Sequence, residues 1–278
     1  LYVALGIKSR ACLAEGDWDG AFKAAKRVID EGGYAVGTKS DLTSGMNSLD
    51  KQNVMWGAGI QVADQAGGYA GFFTHMDNKE GAYAKSAPKL ISKQLYNRIS
   101  ATDIRRDWWD PSDKESPYVS KKFSFANVAS FLGDYIYMRV EEMYFTAAEA
   151  ALRLDDLKSA RELMNTVMAE RDPGYSANNR SGTLLGATTT TWTGSFLENI
   201  LTHRRIELWG EYGRLFDVRR LGQGIDRRTD DGFSEECISM MNRRNVNITK
   251  ADTYDWVLTI PKAELDANPN INEEDQNP

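Results

Sequence analysis

Five glutamates stand where acid–base chemistry could begin: Glu141, Glu142, Glu149, Glu207 and Glu211. A glycoside hydrolase needs two carboxylates held a set distance apart across a sugar, one of them kept protonated. Each of these five falls on a helical stretch beside arginines. A neighbouring guanidinium favours the ionised carboxylate and lowers its pKa, which suits an ion pair better than a general acid. No residue is assigned a catalytic role, and the chain is not expected to be an enzyme.

Other reactive groupings are sparse. Only two histidines, His75 and His203, occur in 278 residues, which leaves few places for a His-rich metal site or a Ser-His-Asp triad. Asp110, Asp113 and Glu115 could hold a calcium ion with backbone oxygens, but their spacing departs from an EF-hand loop, and a solvated acidic turn is the simpler account. The LGQGID run from Leu221 lacks the strand-turn-helix unit of a dinucleotide fingerprint. Asn179-Arg180-Ser181 and Asn247-Ile248-Thr249 have the glycosylation pattern, which short sequences reach by chance. Neither a metal nor a cofactor is expected.

Binding chemistry has more to work with. Sugars present flat C–H faces and a rim of hydroxyls, so a protein holds them with exposed aromatic planes and a few polar side chains. The rings that stand on loop-like sequence are Tyr69, Phe72, Phe73, His75 and Tyr83 in a glycine-rich run, Trp108 and Trp109 beside charges, and Trp192 in a Thr-rich run. These eight are the candidate ligand-binding residues. The alternative for each is a ring tucked inward to pin its own loop. In extended chain Trp108 and Trp109 point to opposite sides, so at most one of them can be a platform. Trp18 and Trp56 are expected in the core.

The elements that must carry these rings are mostly helices. Residues 1–33 read as a helix hairpin, its second helix stopped by Gly32-Gly33. Val3, Ala4, Ile7, Ala11 and Ala14 form one stripe, Gly16-Asp17 breaks it, and Ala21, Ala24, Ala25, Val28 and Ile29 form the next. A similar hairpin recurs over residues 138–172, with Ala160 where the first has Ala21 and Asp155-Asp156 as its turn. Such pairs resemble tetratricopeptide repeats and predict stacked hairpins with an insertion between them. The insertion, 34–137, is loop-rich, with a short strand over Asn53 to Ile60, a helix over Pro88 to Ile99, and extended pieces at Phe123 to Val128 and Asp134 to Met138. Residues 195–278 hold the densest stretch, ILTHRRIELWGEYGRLFDVRR from Ile200 to Arg220. Charges of both signs stand there among Trp209, Tyr212 and Phe216, which predicts internally paired charges under burying rings. Glu207 lies within helix-pair reach of Arg204, and a second short helix follows Gly213.

Composition narrows the partners. A formal net charge of −6 with interspersed signs disfavours nucleic acid and anionic lipid. No run of about 18 apolar residues could form a spanning helix. The two cysteines, Cys12 and Cys237, have no spacing that calls for a disulfide. The first residues are already helical in character, without a leader or lipobox, so the sequence reads as a fragment or a processed form, all of it one domain.

Four runs together resemble one family. RRIELWGEYGRLFDVRR is similar to the signature helix of the SusD/RagB family. YMRVEEMYFTAAEAALRL places Arg139, Glu142, Tyr144, Glu149 and Ala150 on the family's R-x-A-E-x-Y-x-x-x-A-E-A helix. WVLTIPKAELDANPNI with the later QNP resembles its closing run, Thr259 standing where Pro is frequent, and Asp103-Ile104-Arg105 is similar to its D-x-R marker. The resemblance implies a mainly α, tetratricopeptide-like protein of the outer-membrane surface in Bacteroidetes, tethered by an N-terminal lipid anchor outside this sequence. It also implies capture of oligosaccharides, or of peptides in some branches, for a SusC-like TonB-dependent transporter. The shared motifs are scaffold motifs, so no ligand residue follows from them. The remaining alternative is a helical-repeat scaffold that reads only a protein partner.

Overall fold

The computed structural model describes residues 1–64, 71–180, 194–223 and 258–276. It is mainly helical, as expected. The first hairpin is α1 (Tyr2–Glu15) and α2 (Trp18–Glu31). Gly16 closes α1 at φ 83°, and Asp17 caps α2 by accepting the Gly20 N–H at 2.8 Å. The second, α7 (Val140–Arg153) and α8 (Leu157–Ala169), turns the same way: Asp155 takes φ 61° and Asp156 accepts the Ser159 N–H at 3.0 Å. The hairpins stack through α2 on α7, where Ala21, Ala24, Ala25 and Val28 meet the alanine-rich α7. Small side chains allow this close approach, and the contact forms the largest core.

The buried face of α1 differs from the expected stripe. Gly6, Ser9, Cys12 and Leu13 face inward, while Ile7 stays half exposed. The reason is a sheet beneath the helix. A Cβ at Gly6 would stand 2.3 Å from Met138 Sδ, so α1 can lie on that sheet only through its smallest residue.

The sheet pairs β1 (Val54–Ala58) with β4 (Tyr135–Arg139), antiparallel, with Trp56 opposite Met138 and Ala58 opposite Tyr135. Met55 and Met138 enter the core beneath α1. The register shifts on either side of Trp56, and at this irregularity its ring turns outward, 40% exposed, while Met138 stays buried, correcting the expected place of Trp56 in the core. Between the strands, the glycine-rich run contains two short helices rather than only loop: α4 (Phe72–Met76) begins after Gly71 and α5 (Ala82–Ser86) after Gly81. The helix expected over Pro88 to Ile99 is one turn, α6 (Lys93–Tyr96). Other short elements of the insertion include α3 (Lys39–Leu42) and the pair β2 (Trp109–Asp110) and β3 (Val119–Ser120).

The Ile200–Arg220 stretch is two helices. Ser195 caps α9 (Phe196–Glu207), and Gly210 and Gly213, both at positive φ, turn the chain into α10 (Arg214–Arg220). Phe216 is 51% exposed and stacks on Tyr212, so it is not among the rings that bury. Pro261 leads into α11 (Lys262–Ala267) as expected. Cys12 is buried and Cys237 lies outside the described residues.

Candidate functional site

A lattice of paired charges lies where α7, α8 and α9 meet. Glu207 accepts from Arg139 Nη1 at 2.9 Å, from Arg105 Nη1 at 3.1 Å and from both Nε and Nη2 of Arg171 at 3.0 Å. Arg105 also binds Asp103, and Arg171 binds Glu141. Burial alone would raise the Glu207 carboxyl; the three guanidiniums outweigh it and hold it well below the usual carboxylate range. Arg105 Nη2 lies 2.9 Å from His203 Nδ1. A guanidinium has no lone pair to offer, so Nδ1 accepts. Burial, then Arg105, push the imidazole pKa well below its ordinary value.

A second cluster extends the first. Arg204 reaches Asp217 at 3.1 Å, and Arg220 grips Glu149 with two bonds of 2.7 Å. The expected Arg204–Glu207 pair is absent. Arg204 turns toward Asp217 and Thr146, while Glu207 is already surrounded by three other arginines. Asp103, Arg105, Arg139, Glu142, Glu149 and Glu207, drawn from the shared motifs, all sit in these clusters. They are structural.

The lattice ends at the turn between α9 and α10, and a pocket begins there. Glu211 accepts from Arg139 at 2.7 Å through each oxygen and also from buried Lys122, whose amine caps the Glu207 and Trp209 carbonyls at 2.7 and 2.8 Å. Burial lowers the Lys122 amine to about 8, Glu211 opposing the fall. On its other side Glu211 helps to line a pocket of about 440 Å³, within the size range of small-molecule sites. Phe72, Phe123 and Tyr135 form one wall, with Met46 beside them. Trp56 and Tyr137 (42% exposed) stand at the opening with ring centroids 5.2 Å apart. Tyr212 lies under Arg10, whose guanidinium is 3.7 Å from the ring centre.

Of the eight candidate binding residues, Phe72 lines this pocket. Phe73 is buried behind it, against Phe125. His75 and Tyr83 stack with centroids 4.5 Å apart, away from the pocket lining. Trp108 and Trp109 are corrections: at 2% and 1% exposure both are core. The chain there is not extended. A 3-10 turn, Ile104–Trp108, runs into β2 and lets both rings enter one cluster beside Trp209, with Trp108 donating to the Leu42 carbonyl at 2.8 Å. Tyr69 and Trp192 lie outside the described residues.

The residues not singled out as binders, Trp56, Phe123, Tyr135, Tyr137 and Tyr212, come from well-separated segments. One signal was available. Tyr135 and Tyr137 are two apart and Trp56 follows Met55, so alternation gives the strand pair an aromatic side opposite a methionine side.

The fold and pocket define a helical-repeat protein with an aromatic-lined cavity and an ion-paired interior. Its sequence matches the model of the SusD family over residues 110–278, more than half of the chain, and the chain belongs to that family. A SusD-like carbohydrate binding protein from Bacteroides vulgatus is similar to it, with 26% identity and a TM-score of 0.76 over 97% of this chain and 58% of that one. A SusD superfamily protein from Bacteroides thetaiotaomicron has 23% identity and a TM-score of 0.74 over 100% of this chain and 60% of its own. Surface glycan-binding protein A from the same species has 16% identity and a TM-score of 0.64, over 96% and 61%. The last two support the fold alone. The chain thus spans less than two thirds of the length of these solved structures. No curated protein matches.

Proposed function

We propose that the protein captures oligosaccharides at the cell surface, holding them at the pocket bounded by Trp56, Tyr137, Phe72 and Tyr212, and passes them to a SusC-like TonB-dependent transporter of the outer membrane. The observation that carries the reading is the pair of half-exposed rings, Trp56 and Tyr137, at the mouth of an aromatic cavity. Large apolar groups left in the open at a concave site fit a ligand with flat C–H faces. Family membership and the similarity to a SusD-like carbohydrate binding protein support the same class. A role without catalysis accords with the carboxylates: Glu141, Glu142, Glu149, Glu207 and Glu211 are each engaged by arginine.

Isothermal titration against a panel of soluble polysaccharides and mixed peptides tests the class. A saturable glycan signal that Tyr137→Ala weakens is expected. A signal from peptides with silence toward every glycan would overturn it. Co-purification with the transporter from solubilised outer membranes tests the delivery step, and capture of glycan with no transporter in the complex would remove that half.

A further inference from the structure

The two charged side chains beside the pocket, Arg10 and Glu211, are already paired within the protein. Arg10 donates from Nε and Nη2 to Glu142 at 2.8 and 2.7 Å, and Nη2 also bonds the Tyr137 carbonyl at 2.7 Å. Both oxygens of Glu211 are held by Arg139, and one also by Lys122. The Tyr135 hydroxyl receives the Phe72 backbone N–H at 3.2 Å. What faces the cavity is ring and aliphatic surface: Met46, Phe72, Phe123 and Ile136 inside, Trp56 and Tyr137 at the opening. A sugar hydroxyl pushed against such a wall would lose its water and find little in exchange. A flat apolar group would displace water from both itself and the rings.

Resting on the glycan-capture reading of this same site, we infer that the inner pocket takes a planar aromatic acyl group carried as an ester on the oligosaccharide. The sugar itself stays outside, against Trp56 and Tyr137. The volume of about 440 Å³ exceeds what one substituted ring and its acyl linker need, so no wall has to move. The edge-to-face preference of aromatic pairs fits walls set at steep mutual angles, as the inner rings Phe72 and Phe123 are at 88°. The pocket thereby reads the decoration, while the opening reads the sugar.

The test is a pair of ligands that differ by the ester alone. A feruloylated arabinoxylo-oligosaccharide and its alkali-de-esterified twin are titrated in parallel, with methyl ferulate as the isolated group. The feruloylated ligand is expected to bind at least about tenfold more tightly than its twin, since one buried ring contributes on that scale. Methyl ferulate is expected to bind weakly and to compete with it. Phe72→Leu, which removes an inner-wall ring, should shrink the ratio between the twins, with an unchanged thermal melt showing that the variant is folded. Equal affinity for the twins, or a ratio that Phe72→Leu leaves intact, overturns the acyl pocket and leaves glycan capture standing. Silence toward all three ligands and the wider glycan panel overturns both. Binding of phenylalanine-containing peptides in place of either twin assigns the pocket to a peptide side chain and overturns the glycan-borne version.

Discussion

On one side of the Gly210–Tyr212 turn, Glu207 takes bonds from three arginines in a space closed to water. On the other side, Trp56 and Tyr137 line a cavity while staying about 40% exposed. Charge is placed where it costs most to bury, and apolar surface where it costs most to expose. The two arrangements explain each other. An ion lattice without solvent is tolerated only when each member keeps its partners, and that demand fixes the helices on which the pocket rests. Glu211 belongs to both, with Arg139 behind it and the cavity in front.

The comparison breaks most severely at Glu207. Glu207→Ala leaves Arg105, Arg139 and Arg171 short of their shared partner, and we expect a loss of about 3–5 kcal/mol in chemical denaturation. A variant as stable as the parent would mean that the lattice does not hold the helices. Acid probes the same region as a whole. Burial would raise the carboxyls of Glu149, Glu207, Glu211 and Asp217, but neighbouring guanidiniums hold each below its ordinary range. Their folded forms bind protons less readily than the unfolded chain. The stability they contribute is complete above the unfolded value near pH ~4.3 and is lost as pH falls through the depressed folded values. Melting temperature should therefore decline below about pH 4, and a flat profile down to that point and beyond would contradict the lattice. Lys122 acts at the other end. Its amine is lowered from 10.5 to about 8, so between those values the unfolded chain binds the extra proton and stability from this group rises with pH.

Gly210 stands between the two regions. It sits at φ 74°, and a Cβ there would come within 2.6 Å of the Phe123 ring. Gly210→Ala should cost about 1–3 kcal/mol and weaken ligand binding together, because it strains the turn and pushes Phe123 into the cavity. Loss of stability with binding untouched would show that Phe123 is no part of the site. The smallest effect belongs to the His75–Tyr83 stack. His75→Ala is expected to change both stability and binding by less than ~0.5 kcal/mol, and a larger loss of glycan affinity would place a second platform there.

The two regions also differ in what the sequence discloses. The lattice residues sit in runs with helical periodicity, so Arg139, Glu149, Glu207 and the cap positions Asp17 and Asp156 are readable from spacing. Their partners are not. Arg204 and Glu207 are within reach of each other on one helix, yet each turns to groups from other segments, and helical spacing says nothing of that competition. The pocket is harder still. Its rings come from α4, the β1–β4 sheet, the Phe123 segment and the α9–α10 turn, distant in sequence and joined only by the fold. Loop position is a poor guide to exposure there, since a 3-10 turn carries Trp108 and Trp109 into the core while the strand residue Trp56 faces out.

The division of labour is tested most directly by making Trp56→Ala and Trp109→Ala and measuring, for each, glycan affinity by titration and stability by denaturation. Trp56→Ala is expected to lower affinity at least about tenfold and leave stability within about 1 kcal/mol. Trp109→Ala is expected to cost about 3–5 kcal/mol of stability while its folded fraction binds as the parent does. Unchanged affinity in Trp56→Ala, together with lost affinity in a stably folded Trp109→Ala, would place the binding surface elsewhere and contradict the account.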